Sequence, residues 1–140
     1  MFGFRSISPQ KRSRMRAVRA LFIKHGAENT PEGRSLILLR RCLSSEQLEQ
    51  LAARGYFEVT GGDSQKRYRI YAGTSVNVCE VDEKGRRQEG LCFMPIGSLP
   101  IGDVMLAQKI ALESCEREVR AVANRFTPNS YYFRQARPLG

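Results

Sequence analysis

Apolar residues along this chain recur at two periods, and the change from one to the other organises it. Up to Gly55 they return every three to four residues, the spacing of one helix face. Ser8-Pro9 reads as an N-cap followed by proline at the first helical position, and Gly26 as a stop. This predicts a helix over about 9–25, with Met15, Val18 and Phe22 on one stripe and Arg12, Arg16 and Arg19 on a basic shoulder. Thr30-Pro31 repeats the signal and opens a second helix to about Cys42, carrying Leu36, Ile37 and Leu39. Ser44 and Gln47 stand at capping-box spacing before Leu48 and Leu51, and Gly55 closes a third helix.

From Tyr56 the period becomes two, with β-branched and aromatic residues in short runs. Strands are expected at Tyr56–Thr60, Arg67–Ala72, Ser75–Val81 and Glu89–Met94, with Gly61-Gly62-Asp63, Gly73-Thr74 and Glu83-Lys84-Gly85 as the turns. A sequential antiparallel meander is the simplest topology. Centring the last hairpin between Gly85 and Arg86 sets Val78 opposite Phe93 and Cys79 opposite Cys92, which leaves a disulfide there open. Beyond Pro95 and Pro100, Asp103 caps the longest predicted helix, about 103–125. Its apolar stripe is Met105, Leu112, Cys115, Val119, Val122 and Phe126. Gln108 interrupts the stripe and needs partners at the sheet edge or between helices.

The expected class is therefore α+β: N-terminal helices, a four-stranded antiparallel β-meander, and a long C-terminal amphipathic helix packed on the sheet. The chain divides into a basic amphipathic arm (1–29), an α+β domain (30–126) and an extended aromatic and proline-containing tail (127–140) with Tyr131, Tyr132, Phe133 and Arg134. At 140 residues it is long enough to bury about two thirds of its unfolded surface as one domain.

Charge changes this picture, because the net +9 is uneven. Residues 1–43 hold ten Lys/Arg against two acids, residues 44–100 seven against eight, and residues 101–140 six against four. Lys11, Arg12, Arg14, Arg16, Arg19 and Lys24 form an acid-free run suited to neutralising phosphates along a nucleic-acid backbone. Arg67, Arg69 and Tyr71 alternate along one strand and offer a basic-aromatic stripe for stacking and phosphate contact. The competing reading of that stripe is a solvent face on which Glu58 pairs with Arg67 or Arg69. The same arm also has the composition of a helix lying on an anionic membrane surface, or of a targeting segment.

Candidate chemistry is thin. His25 is the single histidine and sits where a helix C-terminus favours a protonated ring. No nucleophile elbow or phosphate-binding glycine motif occurs, and Gly61-Gly62-Asp63 reads as a turn. Glu113 and Glu116 read as a solvated helix face. The four cysteines lack metal spacing and read as reduced thiols, so no catalytic residue, metal or cofactor is expected. The uncharged stretch Leu91 to Gly102 contains two prolines and is too short to span a bilayer, and a cytoplasmic location is expected.

Several runs carry a resemblance: Phe57-Glu58-Val59, Arg67-Tyr68-Arg69-Ile70, Asn77-Val78, Cys92-Phe93-Met94-Pro95 and Asp103-Val104-Met105-Leu106-Ala107-Gln108-Lys109. With Leu112-Glu113, Glu116 and Ala123-Asn124-Arg125 they make residues of about 43–125 resemble a group of small bacterial and phage-encoded proteins without an assigned function. The resemblance implies one continuous unit of sheet and helix and no particular activity. The expected function is non-enzymatic binding of nucleic acid through the arm, without base-sequence readout. The alternative is a structural or assembly protein, forming a homo-oligomer or larger assembly, whose arms dock on neighbouring subunits, with Tyr131, Tyr132, Phe133 and Arg134 as partner contacts.

Overall fold

The three helix signals nearest the strands depend on residues within one turn of each other, and two of them start helices as read. In the computed structural model, which describes residues 30–128, Thr30 Oγ1 accepts from the Gly33 amide at 2.9 Å and starts α1 (Pro31–Cys42). Ser44 and Gln47 exchange side-chain-to-backbone hydrogen bonds of 3.0 and 3.1 Å at the start of α2 (Ser45–Arg54). Gly55 ends α2 at φ 77, a left-handed conformation that costs glycine nothing. The predicted helix over 9–25, His25, Lys11 to Lys24 and Tyr131 to Arg134 lie outside the described residues.

The strands are β1 (Tyr56–Thr60), β2 (Arg67–Tyr71), β3 (Val78–Val81) and β4 (Arg87–Cys92), followed by α3 (Ile101–Ser114), α4 (Glu116–Val122) and β5 (Asn124–Phe126). All pair antiparallel in the order β1-β2-β3-β4-β5. The fold is thus α+β, with four helices among the described residues and a five-stranded rather than four-stranded sheet.

One sheet face carries Phe57, Val59, Tyr68, Ile70, Val78 and Leu91 and packs against Leu36, Leu39, Leu51, Met105, Leu112 and Val119 from the helices. Full burial of each such side chain contributes about 1.5–3 kcal/mol. α1 crosses α3 at its start, where Glu32 Oε1 accepts from the Ile101 amide at 3.3 Å and Ser35 Oγ from the Gly102 amide at 3.2 Å. Helix α3 is capped from α1, which is why it begins at Ile101 and leaves Asp103 inside its first turn instead of at the cap.

α2 lies along the outer edge of β1. Gln47 Nε2 donates to the Glu58 carbonyl at 2.7 Å, and the Glu58 amide donates to Gln50 Oε1 at 2.9 Å. Two side-chain amides thereby take the place of a neighbouring strand at the point where β1 would otherwise expose its polar backbone.

Two expectations fail for long-range reasons. Cys79 stands opposite Gly90 and Val78 opposite Leu91, two residues from the expected register, because the hairpin closes about Lys84, with the Asp82 amide donating to the Arg86 carbonyl at 3.0 Å. The extra residue that β4 spends between Gly90 and Arg87 only reduces a three-residue offset to two. Cys79 and Cys92 are not opposed, and all four cysteines are free. The predicted helix over 103–125 breaks at Cys115 (φ −146, ψ 50), and its end becomes a strand. Val122, expected on the buried stripe, is 77% exposed.

Gln108 is satisfied by a reciprocal amide pair. Its Nε2 donates to Asn77 Oδ1 at 3.0 Å and to the Phe93 carbonyl at 2.9 Å, while Asn77 Nδ2 donates to Gln108 Oε1 at 2.9 Å and to the Tyr71 carbonyl at 3.0 Å. The pair ties α3 to the ends of β2 and β4. Gln108→Leu is expected to leave Asn77 Oδ1 and the Phe93 carbonyl without their donor and to lower unfolding stability by about 1–3 kcal/mol. A urea titration checks it, and an unchanged midpoint would refute the role given to the pair.

Candidate functional site

The sequence stripe falls on the sheet face turned away from the helices. Register pairs Glu58 with Arg69, Thr60 with Arg67 and Tyr56 with Tyr71. Arg69 Nε donates to Glu58 Oε2 at 3.0 Å, and its guanidinium carbon stands 4.5 Å from the centroid of the Tyr56 ring. Burial works against the Arg69 charge, but hydrogen bonding to Glu58 and Tyr71 outweighs it and raises the pKa. Arg67 lies 3.9 Å from the Glu58 carboxylate and donates through Nη2 to the Asp82 carbonyl at 2.9 Å. Tyr71 is 3% exposed and stacks at a tilt on Tyr56 with centroids 5.1 Å apart.

The three residues are brought together as expected from the alternation, but in this arrangement they serve the sheet. Both arginines face one shared carboxylate, and the Tyr71 ring has no open face for a base. Of the sequence-predicted nucleic-acid residues only these three lie among the described residues.

A second polar cluster lies under the other face, where α3 gives way to α4. Glu116 is 1% exposed. Its Oε1 accepts from the Asp63 and Ser64 amides at 2.9 and 2.8 Å, and its Oε2 accepts from the Ser64 and Tyr68 hydroxyls. The expectation of a solvated acidic pair therefore holds for Glu113 alone, which pairs with Lys109 at 2.9 Å on the surface. Gly61-Gly62-Asp63 is a turn as read. Its following amides do cradle an anion, but the anion is the chain's own carboxylate.

Close approach makes this possible. The Gly62 amide donates to the Leu112 carbonyl at 3.0 Å, and a Cβ at Gly62 would overlap the Glu113 carbonyl. Asp63 Oδ2 in turn accepts from the Arg117 amide at 2.9 Å, in the first turn of α4. Arg120 Nη1 donates to the Tyr68 hydroxyl at 3.0 Å and pairs with Glu80 at 3.2 Å, while Nη2 pairs with Glu89 at 3.0 Å.

Burial alone would raise the Glu116 carboxyl. The Ser64 and Tyr68 hydroxyls and the Ser64 and Asp63 amides more than compensate and hold it at about 2. Tyr68 is pushed up to about 12, first by burial and then by its hydrogen bond to Glu116. Burial pushes the Cys79 thiol up to about 11, which keeps it protonated and a poor nucleophile at neutral pH. Among the described residues no group of three His, Cys, Asp or Glu converges as a metal site. No described helix is long and apolar enough to cross a membrane.

The sequence reading missed Glu116, Tyr68, Ser64 and Arg120 as a unit. Its one local signal was the Gly61-Gly62 pair, which permits a close backbone approach. Chemically, the cluster holds a proton off Glu116 and on Tyr68 across the neutral range, the behaviour of a structural clamp.

Glu116→Gln is expected to cost about 1.5–3 kcal/mol at neutral pH, the worth of hydrogen bonds to a charged group. Because the folded-state value lies below the ordinary 4.5, the stabilisation is complete above that pH and is lost as pH falls through about 2. Urea titrations across that window should show a shallower acid loss in Glu116→Gln than in the parent, and parallel curves would rule out the assignment. The chain matches no protein-family model, no curated protein and no solved structure.

Proposed function

We propose that this is a non-enzymatic binding protein whose basic arm, residues 1–29, contacts nucleic acid through phosphate without reading base sequence, with the α+β body as its mount. The observation that carries this reading is the division of charge. Residues 30–128 hold fourteen Lys/Arg against thirteen Asp/Glu, residues 1–29 seven against one, and residues 129–140 two against none. Eight of the nine net positive charges therefore fall outside the body.

Within the body, Lys66, Arg67, Arg69, Arg86, Lys109, Arg120 and Arg125 stand in ion pairs. A paired cation releases little counterion free energy on meeting a phosphate, so Lys11, Arg12, Arg14, Arg16, Arg19 and Lys24 carry the contact. Arg67, Arg69 and Tyr71 are dropped from it, because Arg69 is hydrogen-bonded to Glu58, Arg67 donates to the Asp82 carbonyl and lies 3.9 Å from the same carboxylate, and Tyr71 is closed.

The test is fluorescence anisotropy of a labelled generic duplex across a salt series. Each neutralised duplex phosphate contributes about −0.9 to the slope of log K against log salt. Replacing the six arm cations by Gln is expected to remove most of that slope, while Arg67→Gln with Arg69→Gln changes it by less than about one. Absence of binding at low salt, or a slope indifferent to the arm substitutions, refutes the proposal.

A further inference from the structure

Among the described residues six large apolar side chains are exposed, and they are not spread evenly. Leu38, Ile110 and Val122 stand singly on α1, α3 and α4, and isolated side chains of that kind are ordinary. The other three, Met94 at 47%, Ile96 at 100% and Leu99 at 43%, share the connection from β4 to α3. Ser98 is the only polar side chain in residues 93–100, and no charge occurs between Glu89 and Asp103. Connections that merely join two elements are polar.

The body holds this connection out into solvent. Its root is fixed where Gln108 Nε2 donates to the Phe93 carbonyl at 2.9 Å, and its far end where Ser35 Oγ accepts from the Gly102 amide at 3.2 Å. Pro95 and Pro100 restrict the backbone between these points. Gly97, at φ 101, lies beside Ile96, and a Cβ added there would meet no heavy atom within 4 Å.

Shape and chemistry select the partner of such a tip. A stable protein interface engages about 20–30 residues a side and surrounds its apolar centre with a polar rim that sets register. Three side chains on an uncharged loop supply neither. A bilayer surface requires no matching hollow and no rim, and it accepts protruding aliphatic side chains. The loop's backbone amides and carbonyls need water, which limits entry to the headgroup boundary. The chain's net charge of +9 adds attraction to anionic lipid.

We propose that residues 93–100 are a shallow membrane anchor, with Met94, Ile96 and Leu99 entering the interface of an anionic bilayer. One short apolar anchor gives weak and reversible binding, so loop and charge act together. This is independent of nucleic-acid binding by the arm and fails or stands separately from it.

The chain contains no tryptophan, so I96W in the full chain reports on the tip alone. With vesicles of phosphatidylcholine and phosphatidylserine in equal parts, its emission is expected to shift to the blue. Lipids brominated near the headgroup should quench it more than lipids brominated at the end of the acyl chain. An emission that neither shifts nor is quenched overturns the proposal.

Co-sedimentation with the same vesicles compares the parent with I96S, a substitution at a fully exposed position. I96S is expected to weaken partition about tenfold, the worth of one buried isoleucine, with unchanged circular dichroism and an unchanged salt slope on duplex. A parent that stays in solution, or equal partition of the two chains, overturns the proposal. So does a parent that ignores vesicles but self-associates where I96S does not, which assigns the tip to a second copy.

Discussion

One buried carboxylate holds the two halves of this fold in register. A charge as deep as Glu116 is tolerated only where it is fully hydrogen-bonded. Two amides and two hydroxyls, from the turn after β1 and from β2, meet that demand. The turn reciprocates, with Asp63 accepting from the Arg117 amide and Gly62 donating to the Leu112 carbonyl. The helical segment is therefore gripped on both sides of Cys115, where it breaks. That break swings α4 so that Asn124 to Phe126 arrive beside β4. An uninterrupted helix would carry those residues away from the sheet, and the fifth strand would not form.

Charge is organised by the same geometry. Arg120 projects from α4 to the Tyr68 hydroxyl, Glu80 and Glu89, and Arg125 on β5 shares Glu89 at 2.7 Å. These pairs are partly solvent-exposed, and each contributes little on its own. Together they leave the body nearly neutral toward a distant partner. Any long-range attraction for a polyanion then originates in the segments on either side of residues 30–128.

What was legible in the sequence is what local chemistry decides. The caps at Thr30 and Ser44 and the stop at Gly55 involve residues at most four apart, and each is found where it was read. The period-two runs located the first four strands to within a few residues. The break at Cys115 was invisible, because Val119 and Val122 prolong the helical spacing and the groups that fix the break lie more than fifty residues earlier. The β3–β4 register failed because Asp82 accepts from the Lys84 and Arg86 amides and closes the hairpin about Lys84, a centre that the alternation does not mark. Glu116 was misread because acids at i and i+3 look the same whether water or a buried turn receives them. The Arg67, Arg69 and Tyr71 stripe was read correctly as alternation. Its chemistry was settled by Glu58 and Tyr56 on the neighbouring strand.

The glutamines along β1 bear on how this sheet meets other sheets. With Gln47 and Gln50 occupying the Glu58 backbone, one rim of the sheet is closed to a further strand, while the opposite rim ends in the three-residue β5. Continuous growth into a fibre needs two open rims on every copy. A sheet with one rim closed in this way cannot add strands on both sides, so the fold carries its own limit on edge-to-edge polymerisation.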